Sequence, residues 1–132
     1  MNRIIKFRGK TDDGEWIKGS LLTWPDGKAM VYDTLLADGS MGGNEVKPET
    51  VGQFTVLHDK NNRGIYEGDI VRWDKDGKLY IVEFRSGMFY ASVEPCNQHV
   101  HGGFPLWCLC VEEQHCTIVG NRFDNSELLK LR

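Results

Sequence analysis

Short runs of β-branched and aromatic residues, each ended by a small polar turn, divide the chain from start to finish. Thr11-Asp12-Asp13-Gly14 separates Arg3–Arg8 from Glu15–Trp24, and Pro25-Asp26-Gly27-Lys28 separates that run from Ala29–Leu35. Glycine supplies the positive φ that tight hairpin turns require, so the pattern predicts a β-meander. Leu36–Glu45 has no periodicity and reads as a loop or flap and as the best internal boundary, dividing a possible lobe 1–45 from 46–132 of a single domain. Pro48-Glu49-Thr50-Val51 places a proline and an acid as in the first turn of a short helix, and Gln53–Leu57 returns to strand composition.

The second half repeats the logic. Asp59–Gly64, Asp74–Gly77 and Ser86-Gly87 are turns, and strands are expected between them. In Tyr80–Arg85 the alternation puts Tyr80, Val82 and Phe84 on one face and Glu83 and Arg85 on the other. Glu94–Phe104 is a polar loop, Leu106–Val111 and Thr117–Asn121 are strands, and Asp124–Leu131 has the caps of a short helix that must dock to be stable. The expected fold is therefore mainly β, a small partly open barrel or roll of antiparallel hairpins with a short C-terminal helix.

Three blocks carry a family resemblance. They are Ile5-Lys6-Phe7-Arg8-Gly9-Lys10 with Trp16 and Gly19; Pro48–Thr55 running through Asp59-Lys60-Asn61 to Ile65–Val71; and Val119-Gly120-Asn121 through Glu127-Leu128-Leu129. In this order the chain resembles the YopX family of small proteins from phages and prophages. The resemblance implies an SH3-like roll and brings no catalytic residue or cofactor with it. Val56 and Asn62 stand where the family pattern leads one to expect glycine, and Ser126 where it leads one to expect proline. Gly52, Gly68, Asp69 and Gly120 are the structural positions of the motif.

Composition narrows the setting. The chain has 132 residues, a hydrophobic fraction of 40% and a net charge of -3, values of a globular domain with no global attraction for polyanions. The N-terminus alternates charged and apolar residues and lacks a secretory h-region, so the bacterial cytoplasm is the expected compartment. No membrane partner is expected. The cysteines are then expected as thiols or ligands rather than bridges.

Four places could carry chemistry. Cys96, His99, His101, Cys108, Cys110, His115 and Cys116 offer zinc-type ligands, but not at knuckle spacing. Cys108-Leu109-Cys110 reads as an alternating strand with both sulfurs on one face, which makes them small core residues. His115-Cys116 and His58-Asp59 are adjacent pairs that a strand would point to opposite faces, which argues against a thiol hydrolase. Glu67-Gly68-Asp69 reads as a bend, with Gly68 at positive φ, Asp69 accepting a backbone N–H and Glu67 facing solvent. The aromatics Trp16, Trp24, Trp73, Trp107, Tyr32, Tyr66, Tyr80 and Tyr90 serve a core first and a stacking face second.

No catalytic, metal or cofactor site is assigned. The sequence favours a non-enzymatic module that binds a protein or its own copies. A nucleic-acid-binding barrel using the basic strand of Arg3, Lys6, Arg8 and Lys10 is the alternative, and a zinc-stabilised or metal-dependent domain built on segment 96–116 is the second.

Overall fold

The computed structural model describes residues 2–93, 102–110 and 115–130. It is mainly β, and the chain divides into two compact units, Met1–Phe54 and Thr55–Arg132.

In the first unit β1 (Phe7–Lys10), β2 (Trp16–Thr23), β3 (Ala29–Leu35) and β4 (Met41–Val46) follow one another as antiparallel hairpins. A 3-10 helix at Pro48–Thr50 leads into β5 (Gly52–His58), whose Gly52 lies opposite Arg8, giving the order β4-β3-β2-β1-β5. The turns close as their composition requires: Gly14 N–H donates to Thr11, Gly27 N–H to Trp24, and the Asp26 carboxylate accepts Lys28 N–H. Ala29, Val31 and Val46 form the core, with Ile17, Leu21 and Val51 packed against it.

One expectation is corrected here. Leu36–Glu45 is not a loop throughout, because Met41–Val46 pairs with β3 along its length. The strand escapes a pattern search because its glycines serve packing, not periodicity: a Cβ on Gly43 would lie 2.7 Å from the Tyr32 ring, which occupies that space. The polar turn is confined to residues before Met41, where Asp38 accepts Ser40 N–H and Gly39 N–H donates to Leu36.

In the second unit the end of β5 pairs with β6 (Gly64–Tyr66). The strands β7 (Asp69–Trp73), β8 (Leu79–Arg85), β9 (Met88–Ser92), β10 (Gly103–Pro105) and β11 (Cys116–Asn121) form an antiparallel sheet of order β10-β9-β8-β7-β11. Its core joins Ile65, Val71, Trp73, Tyr80, Val82, Ala91, Leu106, Leu109 and Cys116. Each fully buried aliphatic side chain there contributes about 2 kcal/mol.

Further corrections belong to this unit. Leu106–Leu109 is a 3-10 helix, not the start of a strand. Pro105 at its N-cap and the three-residue turn of such a helix put Leu106 and Leu109 on one face, both at 0% exposure. The expected helix at the C-terminus is a single short 3-10 stretch, Ser126–Lys130. Gly103–Pro105 is a strand within what reads as loop; Glu94–His101, including Cys96, His99 and His101, lies outside the described residues. Phe84 does not share the burial of Tyr80 and Val82 but is exposed, with its ring 5.2 Å from that of Phe89, while Ile81 on the opposite face is fully buried.

The Glu67-Gly68-Asp69 triplet joins β6 to β7. Gly68 has φ 90°, its N–H donates to Val82 and its carbonyl accepts from Arg122. The buried Asp69 carboxylate accepts Tyr66 N–H at 2.8 Å. Glu67 is half-buried instead of facing solvent, because the chain on both sides of it turns inward. Gly120 sits where the β11–β7 register shifts, and a Cβ there would meet Asn125 Oδ1 at 2.5 Å.

Val56 and Asn62 are the two positions flagged as departures from glycine, and both have positive φ, 72° and 63°. Asparagine tolerates this region, but a β-branched residue there is strained. The bend is held by Thr55, whose hydroxyl donates to Ile65 O at 2.7 Å and accepts Leu57 N–H at 3.2 Å.

Val56→Gly is expected to stabilise the chain by about 0.5–1 kcal/mol, the relieved strain less the added freedom of the unfolded glycine. The effect is read as a higher urea midpoint with unchanged slope. Gly68→Val is expected to cost more than about 2 kcal/mol, because it strains φ and sets a Cβ 3.0 Å from Phe123, while Glu67→Gln changes the thermal midpoint little.

Candidate functional site

The most chemically loaded place in the second unit is assembled around Asp59. Strand β5 ends at His58, and Asp59–Gly64 turns the chain back into β6. The Asp59 side chain is fully enclosed. Its Oδ1 accepts the N–H groups of Asn61 and Arg63 at 3.0 and 2.9 Å; its Oδ2 accepts Ile118 N–H at 3.0 Å and Arg63 Nε–H at 3.3 Å. Arg63 Nη2 lies 3.1 Å from the same carboxylate and donates to Ile118 O at 2.7 Å. Burial pushes the Asp59 acid up, but the N–H groups of Ile118, Arg63 and Asn61 and the Arg63 charge outweigh it and hold the carboxyl below its ordinary value.

This clamp ties the turn to β11 and fixes what stands beside it. Lys60 N–H donates to Cys116 O, and Asp74 N–H to His115 O. His58, Asp59, Lys60, Asn62, Cys110, His115 and Cys116 line one cavity of about 260 Å³. Lys60 Nζ lies 3.1 Å from Asp74 across its rim.

Two thiols face each other in that cavity. Cys110 Sγ and Cys116 Sγ are 3.9 Å apart; Cys116 is 1% exposed and Cys110 is half-buried. The S–H contact from Cys116 draws the Cys110 thiol down, whereas the same contact and burial push Cys116 up, with the Asp59 and Asp74 charges adding to it. Cys110, half-buried where Cys116 is closed off, is the sulfur of the pair that solvent reaches.

Adjacency in sequence underrates this grouping. Because Leu106–Leu109 is helical, Cys108 and Cys110 do not share a strand face, and Cys110 turns to Cys116 instead. His58 and His115 come to the same cavity from different strand ends. Among the described residues no three His, Cys, Asp or Glu side chains form a metal-binding group. In the sequence Cys110, His115 and Cys116 share one Cys/His segment and His58 stands beside Asp59, but no spacing joins the two places.

The first unit offers different chemistry. Arg8 is 7% exposed, its guanidinium 4.6 Å from the Trp16 ring centre; Lys10 is 5.9 Å from the same ring, and Lys6 5.0 Å from Phe54. The basic strand therefore lays its cations on aromatic rings. A cavity of about 800 Å³ is bordered by Asp12, Asp26, Glu45 and Glu49 with Lys28 and Lys47, and Lys28 pairs with Glu45 at 3.6 Å. At the tip of the β3–β4 hairpin, Leu35 lies opposite Met41, and these two side chains are 72% and 49% exposed. Leu36 beside them is 46% exposed.

Among the aromatics, Tyr66, Trp73 and Tyr80 are buried, while Trp24 and Trp107 are exposed. Phe104 packs edge-on against Trp73 with ring centres 5.1 Å apart. Among the described residues no helix is long and apolar enough to cross a membrane.

The family model described as YopX protein matches residues 6–130. The chain belongs to the YopX family. No curated protein matches it. The matched span holds both the Asp59 clamp and the dithiol; within it Gly52, Asp69 and Gly120 lie in strands and Gly68 lies just before one.

Asp59→Asn is expected to cost about 2 kcal/mol at neutral pH, since an amide cannot accept all the N–H groups now served. Because the folded-state acid is depressed below its ordinary value of 3.8, the carboxylate's contribution is present above that pH and disappears as pH falls through the lowered value. Chemical denaturation across pH is expected to show the gap between wild type and variant narrowing in acid; a constant gap would contradict the clamp.

Proposed function

We propose that this YopX-family protein is a non-enzymatic protein-binding or assembly module of a phage or prophage, working in the bacterial cytoplasm. The observation that carries the reading is the exposed β3–β4 tip, where Leu35, Leu36 and Met41 stand in water on the hairpin that ends the first unit's sheet. Leaving three large apolar side chains exposed together is unfavourable unless a surface covers them. Strand β4 is also a sheet edge, and an edge strand presents backbone groups to which another chain can add.

The SH3-like roll implied by the resemblance is part of the same proposal, since a small rigid β-frame suits the display of loops and edges. The nucleic-acid alternative gains little from β1 and the Lys6 before it, since Arg8 and Lys10 rest on Trp16 and Lys6 on Phe54. Binding of this kind would need no cofactor.

Sedimentation velocity over a wide concentration range, with affinity capture from phage-infected cells, tests the reading. Wild type is expected to self-associate or retain a specific protein, and Leu35→Ser/Met41→Ser to weaken that complex by at least about tenfold. A strictly monomeric wild type that retains nothing, or a double variant that behaves as wild type, would overturn it.

A further inference from the structure

We infer that Cys110 and Cys116 form a reversible redox site that exchanges with small organic disulfides through the cavity lined by His58, Lys60 and His115. Core cysteines that only fill space need neither touch one another nor border a polar opening. These two do both.

Geometry supplies the first argument. The sulfurs stand 3.9 Å apart, in contact but unbonded, and a disulfide needs about 2 Å, a distance reached by modest movement of two side chains. The second argument is access. Cys110 is half-buried at the cavity and can be reached, whereas Cys116 at 1% exposure can be reached only by its neighbour. The third is charge: the S–H contact between the sulfurs stabilises a thiolate in the pair, which is the attacking form, and Cys110 is the one at the opening. The cavity, at about 260 Å³, is smaller than a usual small-molecule pocket, so it admits the reacting sulfur and its near substituents and not a large ligand.

The chemistry balances as a two-step exchange. Cys110 releases its proton to solvent and its sulfur attacks one sulfur of a small disulfide, breaking that S–S bond and expelling one thiolate, which takes a proton. A mixed disulfide remains on Cys110. Cys116 then gives up its proton and attacks the Cys110 sulfur, forming the Cys110–Cys116 bond and expelling the second thiolate, which is protonated in turn. Two protein thiols are oxidised, and one small disulfide is reduced to two thiols. The new bond ties the end of the Leu106–Leu109 helix to the start of β11.

The test equilibrates the full chain, with Cys96→Ser/Cys108→Ser as background, in reduced and oxidised glutathione at varied ratio, followed by acid quench, alkylation and peptide mass mapping. Expected is a Cys110–Cys116 cross-link with loss of two hydrogens, reversed by excess reduced glutathione and free of persistent adduct. In that background Cys116→Ala is expected to trap one glutathione on Cys110, and Cys110→Ser to react at least about tenfold more slowly at Cys116. Overturning results are a lasting glutathione adduct on Cys110 with Cys116 present, equal reactivity of the two sulfurs, or no cross-link at any ratio. The measurement on the doubly substituted background decides the matter even where a variant at the buried Cys116 fails to fold.

Discussion

A buried carboxylate holds the second unit's turn to its sheet. The Asp59 side chain is enclosed by protein, so its charge depends on the three backbone N–H groups and Arg63 that are aimed at it. That requirement works in both directions. The carboxylate organises Asp59–Gly64, and the need to supply Ile118 N–H fixes β11 against the turn. Cys116 lies two residues before Ile118 on that strand, so its sulfur is placed by the same contact that satisfies the acid. Arg63 reinforces the placement by reaching the Ile118 carbonyl as well.

The fold was readable wherever local chemistry decided the backbone. Asp-Gly turns, the Pro48 turn and the strands at Ala29–Leu35 and Thr117–Asn121 are properties of a few neighbouring residues, and these fell close to their observed limits. Features set by distant partners were not readable. Strand β4 exists because β3 is there to pair with and because Tyr32 needs the space above Gly43. Leu106–Leu109 looks like alternation in sequence, yet Pro105 and the burial of two leucines three residues apart select a 3-10 turn. The dithiol is hidden for the same reason, since a strand would send Cys108 and Cys110 to the same side. His58 and Cys116 are brought together across a gap in sequence that no spacing rule covers.

Val56 illustrates a different limit. The resemblance leads one to expect glycine at this position, and the backbone there is left-handed even though valine disfavours it. Thr55 and its two hydrogen bonds hold the bend, so the backbone keeps its conformation against the preference of the valine side chain. Strain of this sort persists only where surrounding contacts over-determine the backbone, and the turn that follows is anchored by the Asp59 carboxylate.

The rings beside β1 and β7 have an optical consequence. Trp16 in the first unit lies under the Arg8 guanidinium, whereas Trp73 in the second is buried with Tyr80 and Phe104 set at steep angles to it and the Lys75 ammonium 5.4 Å from its ring centre. A cation over an indole and a chiral cluster of coupled rings give different emission and near-ultraviolet circular dichroism. Each unit therefore carries its own intrinsic chromophore, and whether the two melt in one cooperative step or in succession can be followed without any label.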